Sequence, residues 1–264
     1  MELHISGRVA MIAAGSKGIG KAIAIGLAEE GCRVSICARN PEALEIAQHD
    51  LEGLIGPGDV LATVADVSVA VDLNHWHDRT IDRYGTLDIL VTNTGGPPAA
   101  KFLALTDEQW ESGVQSTLMN IIRLSRLALP IMQEKGWGRI IHVTSLVAKQ
   151  PSDDLTISST LRTGISALTR TMANQFAADG VTVNAVLPGN TLTDRQTHLA
   201  EIRAKAWNVS VEEAFERTAN MVPMKRMAEA REIADAVVYL ASERASYITG
   251  VSLLVDGGVC QSPV

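Results

Sequence analysis

The chain has 264 residues, 46% apolar and 20% charged, with 23 Lys and Arg against 30 Asp and Glu for a formal charge of −7. This is a globular composition, which excludes a disordered tail protein, and an acidic balance argues against nucleic-acid binding, which wants a basic face. An α/β chain of this size buries roughly three quarters of its unfolded surface and needs no disulfide or metal to hold one core.

Strand-length and helix-length segments alternate along the chain. Arg8–Ala13 reads as a strand and Gly18–Glu30 as a helix; Arg33–Ala38 with Pro41–Glu52, and Val60–Val64 with Val69–Tyr84, repeat the pair. Leu87–Thr92 is a fourth strand, and Thr106-x-x-Gln109 forms a capping box that opens a long helical region toward Lys135. Arg139–Thr144, Thr182–Val186 and Ser252–Val255 complete seven candidate strands. The strands are near-continuous apolar runs, which means burial on both faces. The order predicts a doubly wound, Rossmann-type, seven-stranded parallel sheet with helices on both faces, in a single domain over 1–264. One irregular stretch, Asn190–Met221, precedes Pro223 and carries a second capping box at Ser210-x-x-Glu213. It follows a strand's carboxyl end, where such sheets bind ligands. It reads as a lid or substrate loop within 190–222, or else as a packed helical excursion with no gating role.

Cys32, Cys37 and Cys260 are an odd number at no metal-like spacing, and read as buried thiols in a reducing cytoplasm; no metal site is expected. The amino-terminal residues lack a basic start and an apolar core, and no apolar run reaches the ~20 residues of a membrane span. The expectation is a cytoplasmic protein with no membrane partner.

The first strand runs into Ala13-Ala14-Gly15-Ser16-Lys17-Gly18-Ile19-Gly20, and a helix follows. Glycines at a strand-to-helix turn let backbone approach a diphosphate, and the helix N-terminus supplies free N–H groups and a positive dipole end. In this context the loop reads as nucleotide binding, with a plain tight turn as the alternative. Arg39 ends the second strand, where an acidic residue would hold the 2′-hydroxyl of NAD. A cation there, with Lys17, suits the 2′-phosphate of NADP(H). Otherwise both are solvated surface charges.

Six further stretches stand at matching places: Ala65-Asp66-Val67, Thr92-Asn93-Thr94-Gly95, Ile141-His142-Val143-Thr144-Ser145, Val183-Asn184-Ala185-Val186-Leu187-Pro188-Gly189, Ile248-Thr249-Gly250 and Val255-Asp256-Gly257-Gly258. With the glycine loop they resemble the short-chain dehydrogenase/reductase family over almost the whole chain. The resemblance implies that Asp66 and Val67 touch the adenine, and that Asn93 and Gly95 lie by the cofactor. It implies that Pro188 and Gly189 lead to the nicotinamide and that Thr193 lies near the cofactor. It also implies a homotetramer or homodimer acting on a small-molecule carbonyl or hydroxyl group.

The family's Asn-Ser-Tyr-Lys set falls at Thr117, Ser145, Ser158 and Arg162, so only the serine is retained. The chain's tyrosines, Tyr84, Tyr239 and Tyr247, lie elsewhere in the sequence. The first glycine of the loop is Ala14, whose Cβ narrows the diphosphate pocket unless Gly15 takes over the turn. Asn190-Thr191 are polar where the family is usually apolar near the carboxamide.

Ser158 and Arg162 are four apart and share a helix face. A serine hydroxyl titrates far above neutral pH and is a poor general acid. Arg162 stays protonated, but it can hold a carboxylate, a phosphate or a developing alkoxide. Lys149, four residues after Ser145, is the best local proton donor, since a desolvated lysine can have a lowered pKa. His142 reads more as a core histidine, and Asp153 and Asp154 as capping residues for the helix carrying Ser158. Pro97-Pro98 is expected to stiffen the loop at the pocket edge. Two function classes stay open. One is an NADP(H)-linked oxidoreductase with an atypical proton donor. The other is a non-redox enzyme or cofactor-binding regulatory protein that kept the fold and lost the tyrosine-lysine chemistry.

Overall fold

The computed structural model describes residues 1–261. Seven parallel strands form one sheet in the order β3-β2-β1-β4-β5-β6-β7. They are β1 (Val9–Ile12), β2 (Arg33–Ala38), β3 (Val60–Val64), β4 (Ile89–Thr92), β5 (Gly138–Val143), β6 (Val181–Pro188) and β7 (Ser252–Val255). β1 pairs with both β2 and β4, so the winding reverses between β1 and β4. Ligands of such sheets bind at that reversal, outside the strands' carboxyl ends.

The helices that connect them are α1 (Gly18–Glu29), α2 (Pro41–Ile55), α3 (Ala70–Tyr84), α4 (Asp107–Gly113), α5 (Asn120–Lys135), α6 (Thr156–Phe176), α7 (Asp194–Trp207), α8 (Val211–Met221) and α9 (Ala230–Ala241). The apolar core divides by sheet face. Ile23 and Leu27 of α1, Leu44 and Leu51 of α2, and Ile233 and Val237 of α9 pack on one side. Leu73 and Trp76 of α3, Leu124 and Met132 of α5, and Met172 of α6 pack on the other. Burial of each such side chain contributes about 1.5–3 kcal/mol, which is why the strands are mostly apolar on both faces.

Several expectations are corrected. The long helical region after Thr106 is not one α-helix: it is broken by a π turn at Val114–Met119 between α4 and α5, and such turns gather at functional sites. The Thr106–Gln109 capping box is present with both bonds, whereas Ser210 only accepts from the Glu213 N–H. Asp153 and Asp154 do not cap α6; Leu155 holds the N-cap position with no side-chain bond. Asn190–Met221 is largely regular, two packed helices joined at Asn208 in the left-handed conformation. Cys32 and Cys37 are buried, and Cys260 is only half-buried. Among the described residues no helix is long and apolar enough to cross a membrane.

Candidate active site

The glycine loop follows β1, and α1 begins at Gly18. Ala14 takes φ +51, so the residue that replaces a glycine adopts the left-handed turn itself. Gly15 does not relieve it: its place is fixed by packing, since a Cβ there would lie 2.7 Å from Ile36 Cγ2. An L-residue in that conformation is strained by about 1–2 kcal/mol. At Gly20 a Cβ would run into the Ala14 carbonyl and lie 2.8 Å from Asn93 Nδ2, which brings the loop after β1 against the loop after β4. Val67 and Gly95, from the same set, lie at the starts of the loops after β3 and β4, half-buried and exposed respectively.

The cations by the loop stand in solvent. The Lys17 side chain is 66% exposed and lies 3.5 Å from Asp194, and that of Arg39 is 78% exposed and lies 3.9 Å from Asp66. Asp66 accepts from the N–H and hydroxyl of Ser68. Burial pushes its carboxyl upward, but the Ser68 bonds and the Arg39 charge outweigh that and hold it below the usual carboxylate range.

Ser145 lies two residues beyond the end of β5 and opens a 3-10 turn, its Oγ accepting from the Val147 N–H at 3.4 Å. Lys149 ends that turn half-buried, and no hydrogen bond or ion pair among the described residues joins its ammonium to Ser145. On α6, Arg162 Nε donates to Ser158 Oγ at 3.1 Å and Nη1 to the Val143 carbonyl at 3.4 Å. The serine-arginine pair is therefore tied to β5 two residues before Ser145. Arg162 is 5% exposed. Burial first, and the Arg195 charge second, lower its pKa to about 10. Thr117 lies on the π turn, which packs against α6, and its Oγ1 is buried with no partner.

His142 is a core residue, as expected, but only half satisfied. Nδ1 bonds Thr92 Oγ1 across β4 and β5 at 2.8 Å, and Nε2 has no partner. Burial lowers its pKa to about 4, so the ring is neutral. Asn184, at the centre of the β6 motif, donates to the Ile248 carbonyl and accepts from Val251, locking β6 to the segment before β7. Gly189 packs where a Cβ would lie 2.6 Å from Asp256 Cα. Thr191 is buried and donates back to the Gly189 carbonyl. Thr193 caps α7 and lies 3.2 Å from where a Gly18 Cβ would stand, so α7 begins over the glycine loop.

Two functional candidates escaped the sequence reading. Arg195 of α7 reaches the β4 loop, where Nη2 donates to the Pro97 carbonyl at 2.9 Å. A Cβ on Gly96 would lie 2.9 Å from that guanidinium. Next to it, Gln196 is buried with Nε2 unpartnered. The available signal was a cation two residues after Thr193, and nothing in the spacing said which way it would turn.

A sequence profile for the family described as enoyl-(acyl carrier protein) reductase matches residues 13–260. The chain is also 35% identical over 257 residues to the 3-oxoacyl-[acyl-carrier-protein] reductase FabG of Vibrio cholerae, covering 97% of this chain and 99% of that one. The chain belongs to the short-chain dehydrogenase/reductase family. Two solved members superimpose closely on this short-chain dehydrogenase/reductase. An actinorhodin polyketide ketoreductase variant with NADPH gives a TM-score of 0.93 at 32% identity, covering 97% of this chain and 98% of that one. The L-sorbose reductase of Gluconobacter frateurii, complexed with NADPH and L-sorbose, gives 0.93 at 32% identity, covering 99% and 100%.

Proposed function

We propose that the protein is an NADP(H)-dependent oxidoreductase acting on a carbonyl or hydroxyl group of a small molecule, with a proton donor other than a tyrosine. The observation that carries this is the cradle at the β1–β4 reversal. Close-approach positions at Gly18 and Gly20, free N–H groups at the start of α1, and two exposed cations at Lys17 and Arg39 fit a 2′-phosphorylated dinucleotide. NADPH in two superimposable family members supports the same reading.

In this reading Gly15, Ser16, Lys17, Gly18 and Ile19 hold the diphosphate, Arg39 and Lys17 the 2′-phosphate, and Asp66 and Val67 the adenine. Asn93 and Gly95 flank the middle of the groove. Pro188, Gly189, Thr191 and Thr193 line the nicotinamide end. The cofactor, when bound, supplies a hydride for transfer. Ser145 holds the substrate oxygen through its hydroxyl. Ser158 is bound to Arg162 and titrates too high to donate. Arg162, with a pKa of about 10, stays charged at neutral pH and cannot release a proton usefully. The proton therefore comes from outside the α6 pair, and Lys149 is the amine carried by the turn that Ser145 opens. Asn190–Met221 acts as a lid, supported by the contacts of Thr193, Asp194 and Arg195 with the loops after β1 and β4. The family resemblance supports assembly as a homodimer or homotetramer.

One observation favours a second reading, a non-redox or regulatory protein. Tyr84 lies in α3, Tyr239 in α9 and Tyr247 in an exposed turn, so no tyrosine reaches the α6 site. Titration with NADPH and NADH, followed by nicotinamide fluorescence, separates the two. The oxidoreductase reading expects micromolar NADPH binding with NADH weaker by about tenfold or more. A folded sample that binds neither cofactor overturns it.

A further inference from the structure

We infer that Arg162 and Arg195 together form an oxyanion-binding site, and that the substrate carries a carboxylate or phosphate group. The inference deepens the oxidoreductase reading and rests on it for the reaction, though not for the anion site itself.

Arg162 is an uncompensated buried cation. It is 5% exposed, and both of its hydrogen bonds go to neutral oxygens, Ser158 Oγ and the Val143 carbonyl. No carboxylate among the described residues lies within ion-pair distance of it, or of Arg195. A guanidinium carries five N–H donors, so three of those on Arg162 have no protein acceptor. Buried charges are normally paired, because removing an ion from water costs several kcal/mol.

The structure compounds that cost by adding a second cation. Arg195 comes from α7, on the opposite side of the crevice, and is held by the Pro97 carbonyl over a glycine that leaves room for it. The Pro97 that holds it stands against α6: a Cβ on Gly113 would lie 3.7 Å from Pro97 Cβ, 3.7 Å from Leu161 Cδ1 and 2.6 Å from Ile157 Cγ2, so this loop packs beside the turn of α6 that carries Arg162, and the Arg195 charge lowers the Arg162 pKa further. On the elements that carry or flank the two arginines, two buried polar atoms lack partners among the described residues, Thr117 Oγ1 on the π turn that packs against α6 and Gln196 Nε2 on α7. Two like charges converging in a low dielectric, with donors to spare, are the design of a site completed by an anion. Its place decides its use. Val143 is two residues before Ser145, at the carboxyl end of β5, where the sheet presents its ligands. The lid helix brings one half of the clamp and α6 the other.

The test is calorimetric titration of the protein, NADPH-loaded and NADPH-free, with benzoate, inorganic phosphate and the uncharged benzamide. Benzoate or phosphate is expected to bind the NADPH-loaded protein, and benzamide not to. Benzoate binding commits the substrate to a carboxylate; phosphate binding without benzoate commits it to a phosphate ester. Arg195→Gln and Arg162→Gln are each expected to weaken anion binding by about tenfold or more. Arg217→Gln, which removes an exposed arginine paired with Glu213, is expected to leave it unchanged. Should Arg162→Gln fail to fold, the half-buried Arg195 carries the test alone. The inference is overturned if neither anion binds, if benzamide binds as well as benzoate, or if Arg195→Gln makes no difference. It is also overturned if the anions bind only the NADPH-free protein and compete with NADPH, because the arginines then serve the cofactor. If NADPH itself does not bind, the oxidoreductase reading falls, and the NADPH-free arm still decides the anion site.

Discussion

Lys17 and Arg39 stand in water, at the glycine loop and the end of β2, and their contacts with Asp194 and Asp66 are long and exposed. Arg162 is buried between α6 and β5, with no carboxylate among the described residues beside it. The exposed pairs hold little energy, about 0–1 kcal/mol each, so an arriving phosphate displaces them at small cost. The buried cation is different. It is costly while unpaired, and it sharpens discrimination when an anion comes, because the low dielectric makes the right partner worth far more than water. A solvated cation attracts many ligands weakly. A buried one selects.

The largest expected effect breaks the comparison at the substrate end. Ser158→Tyr with Arg162→Lys restores the family's acid and its neighbour. NADPH-dependent reduction of a neutral carbonyl is expected to rise by about 10²–10⁴-fold, the usual contribution of a positioned general acid. Lys149→Met is expected to cost activity in the wild type and little in that double variant, where the tyrosine replaces it. A double variant that binds NADPH normally and is no faster on any accepted substrate would falsify this account of the site.

Gly20→Ala breaks the nucleotide end. Its Cβ would meet the Ala14 carbonyl and Asn93 Nδ2, and backbone cannot step aside as a flexible side chain can. NADPH affinity is expected to fall by about 100-fold, near 3 kcal/mol, in a fluorescence titration. The anion titration should be unaffected; if both fail together, the two ends are not independent.

His142 offers a pH measurement. Its folded pKa, about 4, lies below the ordinary 6.5 because the ring is buried. Stability from keeping it neutral is present above pH 6.5 and is lost as pH falls toward 4, amounting to about 3 kcal/mol. His142→Val is expected to flatten urea-unfolding stability across that window; an unchanged slope between pH 6.5 and 4 would show that the ring is already charged in the native state. The smallest effect is at Ala14, at φ +51. Ala14→Gly is expected to stabilise the fold by about 1 kcal/mol, which thermal unfolding reads as a few degrees. No gain would mean that the loop has relaxed around the methyl group.

Much of the fold was legible. Ile36, Val91 and Ile141 sit in near-continuous apolar runs because both sheet faces are covered, and that pattern pointed to parallel strands. Strand ends were less legible: β6 runs on through Pro188, since pairing with β7 and not hydrophobicity sets its length. The π turn at Val114–Met119 was invisible, because a one-residue widening of a helix leaves the apolar period nearly intact. At the site, Ser158 and Arg162 were readable as helix neighbours, and their hydrogen bond followed from the four-residue spacing.

The sequence by itself determined the sheet, the glycine loop, the family and the one-turn spacing of Ser158 and Arg162 on a helix. Each of these is a local matter of residue type and period. Only the tertiary structure decided that Ala14 carries the left-handed turn, that Arg162 has no carboxylate partner among the described residues, and that Arg195 crosses from α7 to the Pro97 carbonyl. Burial and pairing depend on which distant segments meet. Arg195 and Pro97 are 98 residues apart, and no local rule spans that distance.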